Sequence, residues 1–246
     1  MMLNAEIAAV LAEDAATLAL LQDRELSAPV LAELKSIGFP DNLGLLPASG
    51  ASQATFGMMR LAVSSLPAAA DARFLDNLAA DFAAIYLTGA FGASPCESFW
   101  LSDEHLLCQE AMFDMRALYA AAGFAVPDWR SRPDDHLVFQ LQFLSRRLVS
   151  AESDDDWRSL AGFLDRHLLR WLPDFADRVA FHCDTPFYAA LAILTDVWCQ
   201  QLRGLIEQHL GEARPSPEES EDILRTRRNA EETPMHFVPG AAGPSW

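Results

Sequence analysis

Apolar positions along the chain recur mainly at steps of three and four. Over 186–210, Phe187, Leu191, Leu194, Trp198, Leu202 and Leu205 fall on one face of a long helix. Thr185 followed by Pro186 gives that helix a hydroxyl cap and a proline at its first position, and Gly211 is placed to end it. Leu137, Leu141, Leu144 and Leu148 repeat the pattern over 134–150, and Leu75, Leu78, Phe82 and Ile85 over 71–88. Shorter helical patterns lie at 4–21, 28–37, 52–66, 105–122 and 154–171, with another at 174–183. Sustained alternation with β-branched residues is missing, and so is any Asn-Gly or Asp-Gly hairpin turn. The pattern predicts an all-α protein, a single-domain bundle of roughly eight to ten helices over 1–211. No repeat of fixed period is found, which argues against a solenoid.

Two connections interrupt the helical pattern. The stretch 89–103 is turn-rich and carries Phe91, Phe99 and Trp100, and the stretch 123–133 ends just before a helix. Long loops with large aromatics are either tucked against a core or used for binding. From Glu212 the composition turns polar, acidic and proline-bearing, so 212–246 reads as a disordered tail. Within it Ile223 and Leu224 are compatible with a short helix, and Met235, His236, Phe237, Val238 and Trp246 with a docking contact.

Charge narrows the class of partner. The 246-residue chain has a formal net charge of -17. Such a field repels phosphate backbones and anionic membrane surfaces and attracts basic peptides. About half of the residues are hydrophobic, enough to bury a sizeable core. No apolar run approaches the roughly 20 residues of a membrane helix. The first residues carry Glu6, Glu13 and Asp14 with no basic residue before Arg24, unlike a secretory signal. The chain is therefore expected to be soluble and cytoplasmic, with no nucleic-acid partner and no stable membrane insertion.

Catalytic chemistry is sparse. The phosphate-binding, nucleophile-elbow and zinc-protease motifs are missing. None of the six histidines has an acid three residues before it, as an inward-facing di-iron bundle would need. The four cysteines, Cys96, Cys108, Cys183 and Cys199, form no Cys-x-x-Cys pair and read as reduced thiols. His105 and Cys108 would share a face of a helix, with Cys96 nearby, but two ligands at that spacing arise readily by chance. Arg146 and Arg147 read as two arginines on a solvated helix face. The expectation is a non-enzyme with no metal and no cofactor of its own.

Two stretches together carry a resemblance. The first is Ser94, Pro95, Cys96, Glu97, Ser98, Phe99, Trp100, Leu101 and Ser102. The second is Arg132, Pro133, Asp134, Asp135, His136 and Leu137, running into Gln140, Leu141, Phe143 and Leu144. Between them lie Met112, Met115, Arg116 and Tyr119, then Ala122, Gly123 and Phe124. In order and spacing, about forty residues apart, this pair resembles the TorD/DmsD family of molybdoenzyme maturation chaperones, over roughly 74–210. Cys96 stands where that family usually has an aromatic ring, and two acids precede His136. The resemblance implies a helical cytoplasmic chaperone, monomeric or dimeric. Its partner would be the apo-form of a molybdenum-dependent reductase or dehydrogenase, the twin-arginine signal peptide of that enzyme, or both. It would delay export until the client receives its cofactor, molybdopterin guanine dinucleotide.

The residues in these stretches suit such a ligand. Two guanidinium groups followed by an apolar segment call for carboxylates and a greasy groove. Glu97, Asp134 and Asp135 offer carboxylates; Phe91, Phe99, Trp100 and Trp129 offer apolar surface. His136, in the first turn of its helix, could position a carboxylate or donate to a peptide carbonyl. The candidate client-binding set is thus Pro95, Glu97, Ser98, Phe99, Trp100, Asp134, Asp135 and His136. Structural roles compete for each: Asp134 as a helix cap, His136 as a satisfied core histidine, Pro95 and Ser98 as turn formers. Two other readings stay open, a helical regulatory interaction domain without an export client and a helical enzyme that binds a small molecule or nucleotide.

Overall fold

The apolar stripe predicted over 186–210 becomes the centre of the core. A computed structural model describes residues 3–67, 71–216 and 219. In chain order the helices are α1 (Ala5–Asp23), α2 (Ala28–Ser36), α3 (Gly50–Ser64), α4 (Ala72–Phe82), α5 (Glu97–Leu101), α6 (Glu110–Ala121), α7 (Leu137–Val149), α8 (Asp154–Phe163), α9 (Leu169–His182) and α10 (Pro186–Leu210). Among the described residues there is no strand, only an isolated bridge between Cys96 and His136. The all-α expectation holds.

Helix α10 starts and stops where its sequence says. Pro186 occupies the first turn after Thr185, and Gly211, at φ 69°, takes the left-handed conformation and donates its N–H to Glu207 O at 2.8 Å. Leu191, Leu194, Trp198, Cys199, Leu202 and Ile206 along it are fully buried. Helices α3, α4, α8 and α9 pack on α10, and α1 lies along α7. Polar ties lock the two groups together: Asp14 on α1 accepts from Trp198 Nε1 at 3.0 Å, and Gln22 Nε2 donates to Thr195 Oγ1 at 3.2 Å. Asp14 also accepts from the amides of Gly44 and Leu45. That loop lies so close to α1 that a β-carbon on Gly44 would meet Val10 Cγ1 at 1.9 Å.

Four expectations need correction. The helix foreseen at 105–122 begins only at Glu110, because His105 and Cys108 adopt left-handed φ values of 52° and 59° that a helix cannot contain. The stretch 89–103, read as loop, contains the short helix α5. The patterns at 154–171 and 174–183 are divided not between 171 and 174 but at a π turn, Leu164–Leu168, that joins α8 to α9; Pro173 sits inside α9 at the cost of one ladder bond. The start of α7 is capped by His136, whose ring accepts from Val138 N, and not by Asp134. An earlier π turn, the first in the chain, Ala83–Leu87, ends α4.

The compact unit is Met1–Arg214. The tail expected over 212–246 falls largely outside the described residues, as do Ile223, Leu224, Met235, His236, Phe237, Val238 and Trp246. Its first residues are tied down: Glu212 pairs with Arg158 at 2.8 Å and Arg214 with Asp165 at 3.0 Å. No helix among the described residues is long and apolar enough to cross a membrane.

Candidate functional site

The two stretches singled out in the sequence meet. Leu137 N donates to Pro95 O at 2.7 Å and Glu97 N to Asp135 O at 3.2 Å, the two rungs that flank the Cys96–His136 bridge. Ser98 N donates to Asp135 Oδ2 at 2.7 Å, so Asp135 holds the first turn of α5. Gln140, one turn into α7, donates from Nε2 to Glu97 Oε2 at 2.6 Å. His167, on the π turn after α8, places Nδ1 at 3.1 Å from Glu97 Oε1. The junction therefore draws on three segments far apart in the chain.

The acids at this junction are buried. Glu97 is 1% exposed, Asp135 0% and Asp134 5%. Asp134 is held by Arg116, whose guanidinium approaches Oδ2 at 2.7 Å. The same guanidinium lies 4.6 Å from the centre of the Trp129 ring, and Arg130 is 4.9 Å from that ring. The three carboxylates and the Trp129 indole offered in the sequence to an arginine-bearing ligand are thus engaged by the chain itself. Burial raises the pKa of Asp135, and the Glu97 charge adds to it, against the hydrogen bonds from Ser98. Burial together with the Arg132 charge pushes His136 down to about 3. His136 is neutral at physiological pH, and with Nδ1 accepting from Val138 its proton belongs on Nε2.

This has a measurable consequence. The unfolded chain takes up a proton on His136 near the ordinary value of 6.5, and the folded chain does so only near 3. A depressed folded value means that the contribution is complete above 6.5 and is lost as pH falls toward 3. Denaturation midpoints of the wild type should drop across that window, and His136→Asn should flatten the slope. Asp135 contributes with the opposite sign, so the comparison between variant and wild type is what decides. Parallel slopes would contradict a neutral, buried His136.

Above the junction opens a cleft of about 780 Å³. Pro95, Phe99 and His136 of the candidate set line it, with Glu97, Ser98, Asp134 and Asp135 outside its walls. Ser94, Cys96, Arg132 and Pro133 of the same two stretches line it too, and other walls come from outside them: Tyr86 and Leu87 of the first π turn, Leu106 and Leu107 of the turn after α5, and Phe139 of α7. Leu87, Leu106 and Leu107 are exposed. An i, i+3, i+4 count misses them because they lie where helical periodicity stops. Trp100 is half-buried and turns its Nε1–H to Ser94 O at 2.8 Å. Arg132 reaches Asp23 at the end of α1, donating to Asp23 O at 2.8 Å, and lies 5.7 Å from the Phe139 ring.

Metal chemistry has little support in the geometry. His105 lies in a turn, with Nδ1 3.0 Å from Phe99 O. Among the described residues no group of three or more His, Cys, Asp or Glu could hold an ion. The four thiols are free: Cys96 and Cys199 buried, Cys183 half-buried and Cys108 exposed. Burial, with the Asp135 charge next, raises the pKa of Cys96 well above the ordinary thiol range.

Comparison with known proteins supplies the family. The model described as nitrate reductase delta subunit matches residues 55–177, half of the chain, including both stretches of the junction. Chaperone protein TorD of Vibrio cholerae serotype O1 is 32% identical over 144 residues, covering 55% of this chain and 65% of that protein. The protein of the same name from Photobacterium profundum is 31% identical over 149 residues, 57% of this chain and 68% of that protein. That of Shewanella loihica is 31% identical over 134 residues, 52% and 62% of the two. The matches thus span less than two-thirds of the length of some of these relatives. They are named as chaperones and not as enzymes, as expected from the missing catalytic motifs. An all-helical chain that joins its two diagnostic stretches in one buried junction, and that shares half its length with these proteins, belongs to the TorD family of redox-enzyme maturation chaperones.

Proposed function

We propose that this protein is a cytoplasmic maturation chaperone for a molybdenum-dependent reductase or dehydrogenase. It binds the apo-form of that enzyme through its twin-arginine signal peptide and delays export until molybdopterin guanine dinucleotide has been inserted. The observation that carries this reading is the 780 Å³ cleft above the junction, whose wall leaves Leu87, Leu106 and Leu107 exposed. Its size falls in the range of a ligand site, and its exposed leucines suit the apolar segment of a signal peptide. Pro95, Phe99 and His136 contact the peptide, and Nε2–H of His136 is the donor available to a peptide carbonyl. Glu97, Ser98 and Asp135 are positioning residues that hold the two lining stretches together, and Asp134 ties the second of them to Arg116 of α6. The net charge of -17 favours a basic ligand.

The test is a titration of the full chain with a synthetic peptide bearing Arg-Arg and an apolar segment of roughly 7–15 residues, followed by fluorescence anisotropy. Binding is expected, and Leu106→Asp combined with Leu107→Asp should weaken it by about tenfold or more, roughly 1.4 kcal/mol. Both side chains are exposed, so the thermal midpoint should stay put. Failure to bind the peptide, or unchanged affinity in the folded double variant, would remove the cleft as the binding site.

A further inference from the structure

Glu97, Asp134 and Asp135 are engaged inside the fold, which leaves open what would meet the arginines of the ligand. A second cleft, of about 560 Å³, shares His105 with the first. Trp100 lines it, and the rest of its wall is the stripe of α9 that includes Asp174, Asp177 and Phe181. Positions i, i+3 and i+7 stand on one helix face, so two carboxylates and an aromatic ring point the same way.

Several independent features make this stripe unusual. Asp174 and Asp177 are exposed, and among the described residues neither is held in an ion pair. Arg178, the cation of the stripe, lies over the Gly92 turn, its guanidinium 3.2 Å from where a β-carbon would stand there. Phe181 is 83% exposed, the barest large apolar side chain among the described residues. A ring of that size left in water forgoes the gain of burial. His182 closes one side by stacking on Phe91, with ring centres 5.6 Å apart. At the boundary between the clefts, His105 is held at φ 52°, with its ring 5.0 Å from Phe99. A non-glycine residue in that conformation is uncommon, and this one lines both clefts.

Carboxylates beside a bare aromatic face are what a guanidinium uses: its N–H fork takes the carboxylates and its plane covers the ring. We infer that the second cleft is the arginine-recognising half of the client site. The apolar segment of the peptide lies in the first cleft, and its arginine pair crosses His105 to Asp174, Asp177 and Phe181. This inference rests on the peptide-binding reading given above and assigns the charged half of that ligand to α9.

Three peptides with one apolar segment and Arg-Arg, Lys-Lys or Gln-Gln ahead of it test the assignment on the full chain. The wild type should bind the arginine peptide about tenfold or more tighter than the glutamine one, with lysine between. Asp174→Asn with Asp177→Asn should shrink the arginine-to-glutamine ratio to within about twofold. Phe181→Ala should reduce the preference for arginine over lysine. The Leu106→Asp, Leu107→Asp double variant should instead weaken all three peptides alike. The α9 side chains are exposed, and unchanged thermal midpoints would show that the variants are folded. A wild type that binds all three peptides equally, or variants that keep its full discrimination, overturns the inference while the cleft reading stands. A wild type that binds none of them overturns both.

Discussion

Glu97→Ala is expected to lower the unfolding free energy by about 3–5 kcal/mol. The carboxylate is 1% exposed and is the meeting point of α5, α7 and the second π turn. Its removal strands the amide of Gln140 and the imidazole of His167 without their acceptor and leaves a void at the foot of the cleft. Glu97→Gln keeps the volume and one acceptor oxygen, and His167 can present a lone pair to the new amide. That variant should therefore lose only about 1–2 kcal/mol. Urea denaturation followed by tryptophan fluorescence separates the two. A loss below about 1 kcal/mol for the alanine variant would show that the junction does not depend on this carboxylate. Because the junction sets the spacing of Pro95 and His136, peptide affinity should fall with stability in the alanine variant.

The second large effect is expected at Asp14. This side chain is buried and accepts three hydrogen bonds, from Gly44 N at 2.8 Å, Leu45 N at 3.0 Å and Trp198 Nε1 at 3.0 Å. Asp14→Ala leaves two amides and an indole without an acceptor, at a cost of about 3 kcal/mol. Burial already raises the pKa of Asp14 against its hydrogen bonds, so the charge is not what the site needs most. Asp14→Asn, of equal size, keeps one oxygen for Leu45 and Trp198 but turns its NH2 toward the Gly44 N–H, so it should lose less than the alanine variant and still about 1–2 kcal/mol. A thermal melt of the two variants checks the order, and a red-shifted Trp198 emission in the alanine variant would locate the damage.

Asp14 also illustrates what a sequence hides. In the chain it is one more acid in an acidic protein, and acids are mostly exposed. Nothing local marks it as the tie between α1, the loop at Gly44 and α10. The same holds for Glu97 and Asp135, which read as surface carboxylates for a basic ligand and lie inside. By contrast, α10 was legible to the residue, because a proline start, an apolar stripe and a glycine stop are all local signals. The two stretches at 94–102 and 132–137 were legible as a pair, but their bridge was not, since no local pattern dictates that Cys96 faces His136. The π turns were invisible for a related reason. Ile85 continues the apolar pattern of α4, yet the backbone there has already changed its repeat. Leu106, Leu107 and Phe181 carried no motif at all; what marks them is exposure, which only the folded chain displays.

The contact between Glu97 and His167 has a bearing on how the protein is made. Its partners are 70 positions apart, and the later one sits beyond α8. A ribosome extends the chain from its N-terminus. Both lining stretches leave it well before the imidazole that completes their support. During that interval the acid of α5 lacks one of its partners, and the cleft has no finished floor. On the proposed function, client capture is therefore a property of the completed bundle. On the same reading, a stalled or truncated copy ending before this histidine would not compete with the finished protein for its ligand.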